Sequence, residues 1–173
     1  MTCSRDWRVP VKTAVFLALA AVVSGVVAVS TPYWSDVVSE GNTTYSGLLV
    51  ECNNTLAHCS GLPVILDRYT GTNMYYSQLW AVCLALVGWV TSLLALALLA
   101  FDVCRPKKSR ALVCIFVAFG AGGSILSAVM VYALGLRSFT TASLRWSFGL
   151  DAASGVLMLI SGVLALVGYI QES

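Results

Sequence analysis

The stretch Leu79–Phe101 reads LWAVCLALVGWVTSLLALALLAF, and it decides the structural class of this chain. It contains no charged side chain. A bilayer core about 30 Å thick is crossed by roughly 20 apolar residues in a helix. Backbone N–H and C=O groups in lipid must be satisfied within the segment, so the stretch predicts a transmembrane helix.

Three further segments have the same character, and together they define one tetraspan domain over residues 1–173. They are Val11–Ser30, Ala111–Leu134 and Phe148–Ile170. The whole chain is 58% hydrophobic and only 10% charged, which is too apolar for a soluble domain to cover its own surface. The first segment, with its basic start and Ala28-Val29-Ser30, also fits a cleaved signal peptide. Its length favours a membrane span.

The basic residues predict the orientation in the membrane. Seven of the ten lie in the amino-terminal region up to the start of the first span or between the second and third spans, namely Arg5, Arg8, Lys12, Arg105, Lys107, Lys108 and Arg110. The other three are Arg68, Arg137 and Arg145. The excess of Lys and Arg in cytoplasmic segments places both termini in the cytoplasm. Segments 31–78 and 135–147 are then extracellular, and we expect the plasma membrane as the location.

Two other features agree with this orientation. Asn42-Thr43-Thr44 and Asn53-Asn54-Thr55 are N-glycosylation acceptor sequences, with Asn42 and Asn53 as the acceptors, and both lie in the longer outer segment. Aromatic residues gather at the predicted outer boundary, where amphipathic rings favour the headgroup level. They are Tyr33, Trp34, Tyr75, Tyr76, Trp80, Tyr132 and Trp146.

The longer outer segment has the pattern of a small antiparallel sheet. Residues 33–38 alternate like a strand, residues 40–42 predict a turn, and Tyr45 with residues 48–50 predicts a second strand entering Cys52. Of six cysteines, only Cys52 and Cys59 are predicted outside, where disulfides persist, so we expect them to bridge. The others are Cys3, Cys83, Cys104 and Cys114, for which we expect packing or cytoplasmic positions.

No arrangement of catalytic residues stands out in the chain. His58 is the lone histidine, with no second metal ligand near it, and no nucleophile–base set or phosphate-binding loop appears. A net charge of +2 does not suggest nucleic acid. We therefore expect a protein that is not an enzyme and has no cofactor or metal. Its expected partners are membrane lipid and itself or another membrane protein.

The first outer segment carries a pattern that resembles the signature of the claudin superfamily. Trp34 is followed by Gly47-Leu48 and then by Cys52 and Cys59 in a four-span protein. The superfamily includes claudins, peripheral myelin and epithelial membrane proteins, lens fibre membrane protein and gamma or stargazin-like channel subunits. Leu49 stands where the signature usually has Trp. Trp146-Ser147-Phe148 is similar to the lens and gamma-subunit branches.

The resemblance implies a fold and a class of function. The fold would be a membrane four-helix bundle carrying a five-stranded antiparallel extracellular sheet, with four strands from the first loop and one from the second. The function would be cell–cell contact, as at a junction, or assembly with a partner membrane protein through the sheet and lateral helix faces. The alternative is an auxiliary subunit that modulates an ion channel or receptor.

Three further features are candidates for function. The apolar run Gly61–Leu66, with Leu62, Val64, Ile65 and Leu66, is either packed beneath the sheet or exposed as an interaction patch. Asp151 is the acid inside a span, close to its outer end, where either a water or headgroup contact or a protein partner could offset its charge. We expect it to face the bundle interior and hydrogen-bond Arg137, Gln78, Ser30 or Thr31. Small residues recur at four-residue spacing, including Gly120, Ser124 and Ala128 beside Gly122 and Gly123. They serve either the bundle or a partner helix.

Overall fold

The chain folds into four long helices, as a computed structural model shows for residues 9–39, 42–53, 58–63, 73–104, 108–136 and 142–172. The helices are α1 (Val9–Ser30), α2 (Asn73–Cys104), α3 (Lys108–Leu136) and α4 (Trp146–Glu172). Each is long and apolar enough to cross a bilayer. The prediction of a multi-pass membrane protein with a four-helix bundle is confirmed.

The helices extend beyond the apolar stretches that predicted them. The predicted second span began at Leu79, whereas α2 begins at Asn73 and ends at Cys104. The fourth helix starts at Trp146, two residues before the predicted span. Hydropathy detects only the part of a helix that lies in the hydrocarbon core. The helix itself continues until its backbone hydrogen bonds are interrupted.

A small five-stranded antiparallel sheet lies at one end of the bundle. Its strands are β1 (Ser35–Ser39), β2 (Asn42–Ser46), β3 (Val50–Asn53), β4 (His58–Gly61) and β5 (Ala142–Leu144). Their order across the sheet is β4-β3-β2-β1-β5. Four strands follow α1 and the fifth precedes α4, which is the arrangement that the resemblance implied.

The second predicted strand is divided in two by a turn. Residues 48–50 were expected to continue the strand from Tyr45, but β2 ends at Ser46 and β3 begins at Val50. The backbone N–H of Gly47 donates to the carbonyl of Val50 at 2.8 Å, which closes the turn. Leu48 is 0% exposed, so this apolar side chain belongs to the core and not to an alternating strand.

Helices α1 and α4 pack closely along their length. The hydroxyl of Ser154 donates to the carbonyl of Ala21 at 2.7 Å, and the hydroxyl of Ser161 donates to that of Ala14 at 2.8 Å. Both alanines are buried, at 1% and 0% exposure. Close approach of backbones is the usual means of helix association in lipid, where apolar burial gives little advantage. The first helix is thus an integral member of the bundle.

Buried apolar residues form two clusters at different levels of the bundle. One lies far from the sheet and includes Leu99, Cys114 and Met158. The other, here called the sheet-end core, joins the sheet to the helices. It contains Trp34, Leu48, Ala81, Val82, Ala85, Ala128, Val129 and Tyr132. The fold therefore fixes the sheet to the bundle through side chains of both.

Candidate functional site

Trp34 anchors the first strand to the end of the first helix. Its side chain is 0% exposed, and its indole Nε1–H donates to the carbonyl of Ala28 at 2.7 Å. In a continuing helix that carbonyl would accept from the backbone of residue 32, but Pro32 has no N–H. The indole therefore replaces a missing backbone donor. A phenyl ring could fill part of the site but could not make this bond.

Gly47 and Leu48 place the turn between β2 and β3 against the helices. A Cβ at Gly47 would lie 2.5 Å from the carbonyl oxygen of Thr31 and 2.8 Å from Cα of Pro32, so the position admits no side chain. The side-chain amide of Gln78 on α2 donates to the carbonyl of Leu48 at 3.1 Å. The turn is thus held between the end of α1 and the start of α2.

Leu49, which replaces the Trp of the resembled signature, is partly buried against the sheet-end core. It supplies apolar area but carries no N–H donor. Leu62, from the apolar run after the second cysteine, also packs against this core. Packing beneath the sheet is thus the observed role at Leu62. Val64, Ile65 and Leu66 lie outside the described residues.

Tyr132 on α3 links the helices to two strands. Its hydroxyl lies 3.0 Å from that of Ser35 and donates to the carbonyl of Ser46 at 3.3 Å. The ring meets Trp34 edge-on at a centroid separation of 5.0 Å. Tyr132 and Trp34 were expected among the rings at the outer boundary, but they are 3% and 0% exposed, so both face protein and not headgroups. Position along a span gives depth, but not whether a ring faces lipid or protein.

Other aromatic side chains remain at the surface beside this junction. Tyr33 is 39% exposed and Trp146 is 53% exposed, and their ring centroids lie 5.7 Å apart. Tyr33 also meets Tyr45 of β2 at 5.4 Å. Trp80 on α2 is 62% exposed. These positions fit the expected belt of amphipathic rings at the headgroup level.

An ion pair connects Asp36 of β1 to Arg145, the residue that follows β5. Asp36 accepts hydrogen bonds from the Arg145 guanidinium and the Ser143 hydroxyl. The hydrogen bond from Arg145, followed by that from Ser143, lowers the pKa of Asp36, while its burial acts in the opposite direction. The pKa of Arg145 is raised by the same partner. Sequence reasoning missed Asp36, although an acid two residues after an anchoring Trp was the available signal.

A disulfide joins Cys52 of β3 to Cys59 of β4. The two residues are directly opposite in the ladder, with Cα atoms 4.1 Å apart, and the predicted bridge is confirmed. Asn42 begins β2, and the partly buried Asn53 ends β3. Their glycosylation stays a prediction. Of the remaining cysteines, Cys83 is exposed and Cys114 is buried, both as free thiols.

Asp151 is buried in α4, at 2% exposure. Among the described residues its Oδ2 has no hydrogen-bond partner. The partners expected for it are otherwise engaged: Thr31 contacts the hydroxyl of Ser147 at 2.7 Å, Ser30 bonds within α1, and Gln78 bonds the Gly47–Leu48 turn. The burial agrees with the expected position inside the bundle, whereas no hydrogen bond joins Asp151 to these three residues, so that part of the expectation is wrong. Arg137 lies outside the described residues.

The small residues of α3 divide between two faces of the helix. A Cβ at Gly122 would lie 2.8 Å from the Leu159 side chain and 2.9 Å from the carbonyl of Gly155, so this face meets α4. Gly120 and Gly123 are exposed, with nothing within 4 Å of an added Cβ. The small residues of α3 therefore lie on two faces, one packed against α4 and one exposed, and the sequence alone could not separate them.

Across the described residues, no group of three or more His, Cys, Asp or Glu side chains has the arrangement of a metal site. What these residues do form is a rigid attachment of a sheet to a membrane bundle. This four-helix apolar bundle, with its small sheet and disulfide, is compatible with a claudin-like tetraspan protein. Comparison with protein-family models found no match, and comparison with curated proteins found none either.

Proposed function

We propose that this chain is a non-enzymatic member of the claudin superfamily that works by contact, holding its sheet and one lateral helix face toward partner molecules. Support comes from the sheet, whose strand order and disulfide fit the resemblance carried by Trp34, Gly47-Leu48, Cys52 and Cys59. Further support comes from the distribution of contacts among the described residues. Buried hydrogen bonds join the sheet to the bundle and α1 to α4, while apolar side chains remain exposed on α3 and on the sheet.

The observation that carries the proposal is a stripe of residues along α3 that faces away from the bundle. Its members recur at alternating spacings of three and four: Val113, Phe116, Gly120, Gly123, Ser127, Met130 and Leu134. In a spanning helix, an exposed stripe faces lipid. The two glycines leave a flat centre between Phe116, 73% exposed, and Met130, 61% exposed. The alternating spacing matches the seam of a left-handed helix pair, and small residues let a second backbone approach.

The sheet supplies the second contact surface. Val38 on β1 is 51% exposed and Leu144 on the edge strand β5 is 48% exposed. Edge strands with free backbone groups can pair with another chain. We place this surface outside the cell, with both termini in the cytoplasm of a plasma-membrane protein. The distribution of basic residues supports this side, as do the Asn42 and Asn53 acceptor sequences and a disulfide that persists in oxidising compartments.

Lateral assembly is tested by resonance energy transfer between differently tagged copies in one membrane. Gly120→Leu with Gly123→Leu should abolish the transfer, because each glycine has free space within its own chain but not against a partner helix. The matched control is Ala100→Leu, on the exposed face of α2. Gly122→Leu is the folding control, since it clashes inside the chain. Equal transfer in the double variant and in the control would contradict the lateral contact.

Contact between membranes is tested with two populations of vesicles, each carrying the purified chain with the sheet outward. Vesicle clustering supports the junctional role if Val38→Glu removes the clustering and leaves the thermal stability of the protein unchanged. Purification in mild detergent distinguishes this role from the auxiliary-subunit alternative. A stable complex with a larger channel or receptor, without vesicle clustering, would favour the auxiliary-subunit alternative. Absence of clustering, self-assembly and a heteromeric partner would refute the proposal.

A further inference from the structure

Two buried polar atoms in the sheet half of the bundle have no partner among the described residues. One is Oδ2 of Asp151 on α4, and the other is the indole Nε1–H of Trp89 on α2. The first is an acceptor when ionised, and the second is only a donor. Unsatisfied polar groups in a membrane are strongly disfavoured, so both atoms require an explanation.

Trp89 and Ser154 of α4 meet at the same part of α1. A Cβ at Gly25 would lie 3.1 Å from the hydroxyl oxygen of Ser154 and 3.7 Å from Nε1 of Trp89. Asp151 lies three residues before Ser154 on α4, hence on the same face and one turn nearer the sheet. Helices α1, α2 and α4 therefore meet near Gly25, whose missing side chain lets Ser154 and Trp89 approach α1 closely.

The antiparallel pairing of α1 with α4 fixes the level of Asp151. Thr31 contacts Ser147, and Ala21 accepts from Ser154. Asp151, midway between those two serines, is thus opposite the turn that contains Gly25. The nearby hydroxyls are already donating: Ser154 to Ala21, and Ser24 to carbonyls of its own helix. Each keeps only acceptor capacity, so neither can donate to the carboxylate.

We propose that Asp151, Trp89 and Ser154 bind a structural water molecule within the bundle, which accepts from Trp89 Nε1–H and donates to Asp151 Oδ2. Its second proton goes to the lone pairs of Ser154 Oγ. A buried water typically makes about three hydrogen bonds to polar groups that would otherwise be unsatisfied, and this site offers three. A metal cation fits poorly, because the Trp89 N–H points a partial positive charge toward the site.

The site links three helices that share few other polar contacts among the described residues. Ser154 already ties α4 to α1, and the water extends that tie to α2 through Trp89. A water bridge accommodates small shifts between helices, because it adjusts more easily than a direct bond between two side chains. The water thus serves as a polar joint beneath the sheet, separate from the contact surfaces described above.

The test is a double-mutant cycle on melting temperature in detergent, using Asp151→Leu and Trp89→Phe. Each single variant removes one of the three partners of the water and weakens its hold on the other buried group, whereas the double variant removes both groups that need the water. We expect the double variant to lose less than half the sum of the two single losses. Asp151→Leu combined with Trp80→Phe is the matched control, since Trp80 is 62% exposed on the same helix, and its losses should add. If the melting-temperature losses of Asp151→Leu and Trp89→Phe are also additive, the proposal is overturned.

Two further measurements identify what bridges the pair. In the wild-type chain labelled with ¹⁵N-tryptophan, the indole proton of Trp89 should show a cross-peak to a long-lived water. Coupling in the cycle without that cross-peak would mean a direct bond between Trp89 and Asp151, and would overturn the water. Arg137→Gln should not couple to Asp151→Leu. Coupling there would assign the carboxylate to an ion pair, and would overturn the proposal equally.

Discussion

Replacing Trp34 with Phe tests how the sheet is fastened to the bundle. The indole donates at 2.7 Å to the Ala28 carbonyl, whose usual helical donor is missing because residue 32 is proline. Losing that donor leaves the buried Ala28 carbonyl without its main hydrogen bond. The expected loss in the free energy of unfolding is about 1–2 kcal/mol, near the middle of the usual range. The Thr31 hydroxyl, 3.3 Å from the same carbonyl, retains part of the bond and argues against the upper end.

The smaller ring adds a second contribution. Trp34 is fully buried against Tyr132 and Phe148, with centroids at 5.0 and 6.0 Å. Shrinking indole to phenyl leaves a cavity that costs about 1–2 kcal/mol. The Trp34→Phe substitution should therefore lower the free energy of unfolding by about 2–4 kcal/mol, and Trp34→Ala by more.

The assay is reversible unfolding in mixed micelles with increasing denaturing detergent, followed by circular dichroism. The control is Trp80→Phe, where the ring is 62% exposed and the loss should stay within about 0.5 kcal/mol. The indole proton of Trp34 should also exchange with solvent much more slowly than that of the exposed Trp146. Equal losses for Trp34→Phe and Trp80→Phe, or fast exchange at Trp34, would refute the capping argument.

Three other substitutions have defined outcomes. Gly47→Ala should lower the unfolding free energy by about 1–3 kcal/mol, because its Cβ meets backbone at the end of α1, whereas Gly149→Ala, with open space, should not. Cys52→Ser with Cys59→Ser should lower it by about 2–3 kcal/mol, from the entropy of the closed loop, and mass spectrometry of the oxidised wild type should show this bridge. Asp36 has a lowered folded-state pKa, so its stabilisation is present above its ordinary pKa and is lost as the pH falls through the folded value. Asp36→Asn should therefore flatten the acid side of the melting-temperature profile, and an unchanged profile would contradict the ion pair.

The helices were predictable because lipid requires long apolar segments, whatever their neighbours. Their ends were not, since α2 begins at Asn73, six residues before the apolar stretch that revealed it. The disulfide was predictable because only Cys52 and Cys59 were expected outside the membrane. The turn that begins at Gly47 was not predictable. An apolar run such as Leu48-Leu49-Val50 has the same composition in a strand as in a turn that packs against the helices.

The site residues divide in a similar way. Sequence signals identified Asp151 as unusual, but its neighbours depend on how α1, α2 and α4 cross, which no local pattern records. Likewise Gly120 and Gly122 differ by two positions and look alike in sequence, yet one faces lipid and the other meets α4. A helical repeat shows which residues share a face, and only packing shows what that face meets.

The order of connections explains how the sheet is oriented relative to the helices. Strand β1 follows α1 after a few residues, and β5 is separated from α4 by Arg145 alone. These two strands are neighbours in the sheet, as α1 and α4 are neighbours in the bundle. The Thr31–Ser147 contact, and the bond from the Ser147 backbone to Tyr33, close the corner between them. The sheet is therefore attached directly to the α1–α4 pair, while α3 meets it through the sheet-end core and through the hydrogen bond from the Tyr132 hydroxyl to Ser46. A partner helix bound along α3 would then influence the sheet through that hydroxyl. Tyr132→Phe should uncouple lateral assembly from vesicle clustering while leaving each contact surface intact.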